Sequence, residues 1–390
     1  MVMSSRTAWD LEANALAACV ERARRSGRPL LDLSESNPTR VGLSWPAAEL
    51  AAALADPRVS AYDPAPQGLP EARAAVAEYL ASRGEIVPPD RVLLTSSTSE
   101  AYALLFKLLC DPGDEVLVPA PAYPLLDLLA DLEAVRLVRY PLRYDGAWHV
   151  DLGAVEAALT PRTRAIVVVS PSNPTGALLG ADELARLDAL CAARELALVG
   201  DEVFADTALR PTPSVLGARA ALAFHLSGAS KVCGLPQLKV AWIAVAGPQS
   251  RVAPALARLE VAADAYLSVS GPSQLALPRL LAARERFFLA PLRARLAANR
   301  AALAAIGSAP FDALPSSGGW TAVLRVGQTL DEEALCLALL DDGVVVQPGF
   351  FYDFERPGHL VLSLLPSPEV FAAGLARVRA RLGGVAGNPS

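Results

Sequence analysis

Lysine is nearly absent. The 390-residue chain has three, Lys107, Lys231 and Lys239, against thirty-two arginines. A chain that draws its surface charge from arginine has no general need of lysine. Codon bias with three survivors is the plainest account. The alternative is that one of them does chemistry a guanidinium cannot, since an amine deprotonates and forms a Schiff base. Basic runs are also missing, and the net charge is −6, which argues against nucleic acid as the partner. No apolar stretch approaches the ~18–20 residues of a membrane span. The opening M-V-M-S-S-R-T-A-W-D has no apolar signal region. Cysteine occurs five times, at Cys19, Cys110, Cys191, Cys233 and Cys336, an odd number with no C-x-x-C pair. That excludes a disulfide framework and a zinc ribbon and fits a reducing compartment. A cytoplasmic protein without metal is expected.

Apolar residues are plentiful, at 53%, which excludes a disordered chain. Short aliphatic or β-branched runs recur at 92–95, 115–118, 135–140, 165–170, 196–200, 223–227 and 240–246. Helical patterns at 98–110, 123–133, 151–159 and 181–194 separate several of them. This alternation predicts an α/β fold with a mostly parallel seven-stranded sheet sandwiched by helices. The 240–246 run follows its predecessor without room for a crossover helix and is expected to be the antiparallel strand. Flanking this region are predicted helices at 8–26, 71–83, 277–305, 331–342 and 367–382, and strands at 30–34, 320–326, 344–347 and 359–364. The expected division is a large domain over 48–275 and a smaller α+β domain from 1–47 and 276–390. The tail G-G-V-A-G-N-P-S is expected to fray.

Ligands of open α/β sheets bind at the carboxyl ends of strands, so the residues that follow each strand carry the functional argument. Thr95–Glu100 (T-S-S-T-S-E) opens a helix, and its hydroxyls and free N–H groups suit a phosphate. The commonplace alternative is a cap at Ser97 or Thr98 with Glu100 completing a capping box. Ser170–Gly176 (S-P-S-N-P-T-G) is a turn by composition, or a loop that offers the Asn173 amide to a ligand oxygen. Asp201-Glu202 ends an apolar strand, where a carboxylate without a partner is costly. Gly228–Lys231 (G-A-S-K) then holds one lysine, and Lys239 follows eight residues later.

In this order the four segments resemble fold-type I, pyridoxal-phosphate-dependent aminotransferases of class I/II, over about residues 30–375. The resemblance implies that Lys231 carries pyridoxal 5'-phosphate as a Schiff base and shuttles the substrate Cα proton. It implies Asp201 on the pyridine nitrogen, Asn173 on the ring oxygen and Tyr123 (P-A-P-A-Y-P) stacked on the ring. Ser97, Thr98, Ser230 and Lys239 belong to the phosphate. Tyr62 (Y-D-P-A-P-Q-G-L) is placed to reach the neighbouring active site of a homodimer. The implied substrates are an amino acid or amine as donor and a 2-oxo acid as acceptor. A lyase, decarboxylase or cyclising enzyme of the same fold is the alternative, and a non-catalytic regulator is a third.

Four positions depart from the family pattern. Phe204 stands where tyrosine is frequent, Gly228 where serine is usual and Lys239 where arginine is usual. Leu362, in H-L-V-L-S-L-L, aligns with the arginine that clamps the substrate carboxylate. Arg40, Arg325 and Arg356 are the candidate replacements, and Trp320 and Phe350–Phe351 the candidate pocket lining.

Overall fold

The computed structural model describes residues 3–12, 14–307, 310–327 and 331–386. Its strands are β1 (Leu31–Asp32), β2 (Val92–Thr95), β3 (Glu115–Ala120), β4 (Arg136–Tyr144), β5 (Trp148–Val150), β6 (Thr163–Val169), β7 (Ala197–Asp201), β8 (Leu222–Gly228), β9 (Ala241–Ala246), β10 (Asp312–Leu314), β11 (Thr321–Arg325), β12 (Val344–Val345), β13 (Gln347–Pro348) and β14 (His359–Ser363). The large sheet has the order β2-β9-β8-β7-β6-β3-β4-β5. Strands β4, β3, β6, β7 and β8 pair in parallel, and β9 runs antiparallel between β8 and β2. The sheet thus has eight strands rather than the expected seven. The extra one, β5, folds back on β4 as a short hairpin. Its W-H-V run was too brief to register as a strand beside the turn at Asp145–Ala147.

Strand alternation builds two cores from one sheet. Leu94, Leu117, Ile166, Val168, Leu198 and Trp242 pack on one face. Their neighbours Leu93, Val116, Val118, Val167, Val199 and Ile243 pack on the other. Both faces are covered, which is why these runs read as continuously apolar. A third core lies around the four-stranded sheet β10-β11-β14-β13. Leu16 and Val20 from the first helix, Ala15–Arg25, join it, and β1 pairs in parallel with β12.

Several element boundaries differ from expectation. The first helix begins at Ala15 rather than residue 8, because the Asn14 side chain caps it by accepting from Ala17 N–H at 2.7 Å. Two helices, Ala47–Leu54 and Gln249–Asp264, were not foreseen. The long helix runs from Gly271 through a π-helical turn at Glu285–Leu289 to Ala305. Its first part, with Leu277 and Leu281, packs in the large-sheet core. From Phe288 onward it packs in the small-sheet core. The last helix continues through Gly383 and Gly384 to Ala386, and the remainder of the expected frayed tail lies outside the described residues.

One register contact explains a departure noted above. Gly228 lies opposite Ala241 across β8 and β9. A Cβ built at Gly228 would sit 2.7 Å from the Ala241 Cβ and 3.2 Å from Val240 O. Serine is excluded here by the neighbour's methyl group and not by backbone conformation, which is extended. Gly228→Ser alone is therefore expected to lower stability by about 1–3 kcal/mol, the usual range for overpacking. Adding Ala241→Gly should recover most of that loss, less the ~0.5–1 kcal/mol of a strand glycine. Urea midpoints of the two single variants and the double variant test this, and simple additivity would contradict it.

Candidate functional site

The parallel strands end at one edge, and the sequence-predicted residues follow those ends. Because β9 runs the other way, its start is at the same edge, which brings Lys239 there too. Lys231 sits in the single helical turn Ala229–Val232 directly after β8. That turn is pinned. Ala229 N–H donates to Val240 O at 3.0 Å, and the Trp45 indole donates to Cys233 O at 2.7 Å. Gly234 has φ +66°, and the Phe288 ring occupies the place a Cβ would take, so only glycine fits.

The Lys231 amine lies 4.9 Å from the ring centroid of Trp320 and 5.7 Å from that of Phe204. The two rings meet edge to face at 5.2 Å. Among the described residues Nζ has no hydrogen-bond or ion-pair partner. Burial pushes its pKa below the ordinary 10.5, and the Asp201 charge opposes that shift. Ring faces favour the cation by about 0.5–2 kcal/mol, so the loss of hydration is the larger effect. An amine of this kind is a better nucleophile near neutral pH than a solvated lysine.

Asp201 and Glu202 part company, as successive residues of a strand do. Asp201 accepts from Tyr102 Oη at 3.1 Å and from Val203 N–H at 3.3 Å. Burial raises its pKa, while those two donors and Lys231 hold it down. Glu202 turns away and accepts from Ser214 Oγ at 2.9 Å and Val215 N–H at 2.8 Å, with its pKa pushed up to about 8 by burial. Beside it His225 is pushed down to about 3, also by burial. The pair is a structural polar cluster below the site. Tyr102 was not foreseen; its signal was its place one turn into the helix that opens after β2.

The Asn173 loop is clamped by the small-sheet unit. Thr321 Oγ1 donates to Pro174 O at 2.8 Å, and Ser317 N–H donates to Gly176 O at 3.1 Å. Gly176 has φ +68°, and its missing Cβ would lie 2.5 Å from Gly318 O. The buried Asn173 Oδ1 and Ser172 Oγ have no hydrogen-bond partner among the described residues. Each such orphan costs about 1–3 kcal/mol unless a ligand completes it.

After β2, Ser97 caps the helix Thr98–Leu109, accepting from Glu100 N–H at 3.1 Å. Glu100 reaches back to Ser96 N–H at 2.6 Å, one residue earlier than a standard capping box. The cap uses the N–H groups of Ser96 and Glu100 and leaves the other N–H groups of that first turn for a ligand. Ser230 is partly buried beside Lys231, and Lys239 is exposed with φ +50°. Tyr123 is half-exposed, on a loop tied down by Ala122 N–H donating to Tyr352 O at 2.9 Å.

Tyr62 stands apart from Lys231. It is 81% exposed and lines a cavity of about 730 Å³ with Val59, Glu100, Tyr266, Leu267 and Ser268. Leu362 is wholly buried opposite Ala322 in the β11–β14 ladder, so no charge can sit there. Arg40 is exposed and faces Glu35 at 3.5 Å. Arg325 pairs with Asp312 at 2.7 Å, and it and Arg356 line a separate cavity of about 510 Å³. Neither joins Trp320. Phe351 packs on the small-sheet core, while Phe350 is half-exposed.

Comparison with known proteins agrees with this arrangement. The family model described as aminotransferase class I and II matches residues 28–373. An alanine aminotransferase of Mycobacterium bovis is 27% identical over 92% of this chain and 86% of its own length. The structure of an alanine aminotransferase from Pyrococcus furiosus superposes with a TM-score of 0.88 at 23% identity, over 98% of this chain and 100% of that one. A single-mutant aspartate aminotransferase of Thermus thermophilus gives 0.84 at 25% identity, over 98% and 100%. With the matched region spanning the lysine, the carboxylate and the phosphate-suited helix start, the chain belongs to the aminotransferase class I and II family: it is a pyridoxal-5'-phosphate-dependent transaminase that moves an amino group between an amino acid and a 2-oxo acid.

Proposed function

We propose that Lys231 is the residue that holds the cofactor and moves the proton during transfer. The observation that carries this is a partly buried amine between Trp320 and Phe204, free of protein partners, at a strand end shared with Asp201. The surrounding groups suit pyridoxal 5'-phosphate. Asp201 offers a carboxylate to the ring nitrogen. Asn173 offers its side-chain amide N–H to the ring oxygen, while its Oδ1 is left without a partner among the described residues. Ser97, Thr98, Ser230 and Lys239 surround the place suited to the phosphate, and Tyr123 would cover one ring face. When bound, the cofactor supplies an electron-withdrawing ring that stabilises negative charge at the substrate Cα.

The chain's own residues do the rest. The Lys231 amine would accept the proton lost from the substrate Cα and, as its conjugate acid, deliver it to the carbon that gains it in the transfer. Asp201 keeps the ring nitrogen protonated, helped by Tyr102 and Val203 N–H, which favour its ionised form. Phe204 offers no hydroxyl to the ring oxygen, so Asn173 serves that oxygen without it. Trp320 and Phe204 exclude water from the amine.

A homodimer is supported by the exposed apolar side chains Val59, Tyr62, Tyr266 and Leu267, which share one groove. In it Tyr62 would reach the neighbouring site. The five free cysteines support a reducing, cytoplasmic setting. The proposed division is a large unit over 48–275 and a small unit from 1–47 and 276–390, with Leu277 and Leu281 of the long helix still packed on the large-sheet side. A small neutral donor such as alanine is supported by the apolar rings of Trp320 and Phe204 beside Lys231 and by the likeness to the alanine aminotransferase of Mycobacterium bovis.

Lys231→Ala should abolish covalent cofactor uptake and cut transfer between L-alanine and a 2-oxo acid by at least ~10²–10⁴-fold, the range for losing a positioned acid–base group. Turnover equal to wild type would contradict the assignment. The rate of covalent cofactor uptake by apoprotein, followed by absorbance, should rise with pH with a midpoint below 10.5. Asp201→Asn should move that midpoint lower still, because Asp201 is the group that favours the ammonium. A midpoint at or above 10.5 in the wild type would contradict the buried-amine account.

A further inference from the structure

The loop between β13 and β14 is fixed at both ends by one carboxylate. Glu332 is 5% exposed, at the start of the helix Glu332–Asp341. Its Oε2 accepts from Phe350 N–H at 2.8 Å, and its Oε1 accepts from Gly358 N–H at 2.7 Å and His359 N–H at 2.8 Å. Three charge-assisted bonds leave the base of the loop little freedom. At Gly349 a Cβ would lie 2.7 Å from the His359 Cβ and 3.0 Å from Glu332 Oε1, so the two ends close tightly. Phe354, near the tip, stacks on His359 at 4.3 Å and meets Trp148 of β5 edge to face at 6.3 Å.

The tip of this loop grips the segment that carries Tyr123 from both sides. On the amino side, Ala122 N–H donates to Tyr352 O at 2.9 Å. On the carboxyl side, the helix Leu125–Glu133 presents Asp127, whose carboxylate accepts from Arg139 Nη2 at 2.7 and 2.9 Å. Arg139 Nε donates to Asp353 Oδ2 at 2.7 Å. The two holds therefore end on adjacent loop residues, Tyr352 and Asp353. Arg143, four residues along β4 and so on the same face, repeats the pattern with Asp151 at 3.0 Å and Glu355 at 3.1 Å. The Arg139 side chain is 38% exposed, and pairs of that kind add little to global stability. Its distinct effect is to join β4, the helix after Tyr123 and the small-sheet loop at one point. Tyr123 is half-exposed, so packing alone does not fix its ring.

We propose that Arg139 is a positioning residue for Tyr123: with Asp353 and the Tyr352 carbonyl it sets where that ring stands over the cofactor. The inference rests on the reading of Tyr123 as the ring that covers pyridoxal 5'-phosphate, and adds what holds it in place.

The test titrates apoprotein with pyridoxal 5'-phosphate for its dissociation constant and records the visible circular dichroism of the holoenzyme, which reports the asymmetry around the bound ring. Tyr123→Ala should raise the dissociation constant about 3–10-fold, the scale of an aromatic contact, and weaken the dichroism. Arg139→Ala should raise it about 2–5-fold and weaken the dichroism in the same sense. Arg139→Lys keeps a cation but lacks the fork that bridges two acids, so it should recover only part of the loss. In the Tyr123→Ala background, Arg139→Ala should change neither quantity further. The urea midpoint of the apoprotein should be the same in wild type and Arg139→Ala. No effect of Arg139→Ala, or an effect that persists at full size in the Tyr123→Ala background, overturns the inference and leaves Tyr123 in its role. Tyr123→Ala with wild-type affinity and dichroism overturns that role, and the inference with it.

Discussion

The site depends on strand direction. Parallel strands put their carboxyl ends on one edge, and each end hands the chain to a loop or helix start at the same level. Thr95, Ala120, Val169, Asp201 and Gly228 are those ends. The one reversed interior strand, β9, adds its beginning to the set, so Lys239 arrives there by an opposite route. No single loop builds the site. Six β-strand termini do, and at β8 the approach of Ala241 leaves no room for a side chain at Gly228.

On this edge Lys231, Asn173 Oδ1, Ser172 Oγ and the Trp320 indole are polar groups without full partners among the described residues. Glu202, one residue beyond Asp201, is by contrast well satisfied by Ser214 and Val215. Adjacent carboxylates thus serve different ends, one facing the ligand and one holding the loop at Ser214. Unpartnered groups also occur at Trp148, Trp242 and Arg284, so what marks this edge is the meeting of Lys231, Asp201 and Asn173 at strand ends. The small-sheet unit takes part directly, since Gly318, Trp320 and Thr321 clamp the Asn173 loop and cover Lys231.

Much of this was legible in the chain. Apolar runs at regular spacing revealed the parallel sheet, and the scarcity of lysine drew attention to Lys231. Asp201 and Asn173 could be found because they follow strands, where their residue types are otherwise hard to explain. Tyr102 was missed: it lies on a helix, and its bond to Asp201 is a tertiary contact that its place after β2 only hints at. The helices Ala47–Leu54 and Gln249–Asp264 were missed; the second carries Pro254 inside it, yet its buried Val252, Ala255, Leu259 and Ala263 keep helical spacing. The short strand β5 exists only because β4 is there to pair with it.

With only three lysines in the chain, one experiment addresses the central claim with little ambiguity. Protein incubated with pyridoxal 5'-phosphate is reduced with borohydride, digested and mapped by mass spectrometry for the pyridoxyl group. The account requires the label on the peptide containing Lys231. Label carried instead by Lys107, which is paired with Glu133 at the surface, or by Lys239 would contradict it.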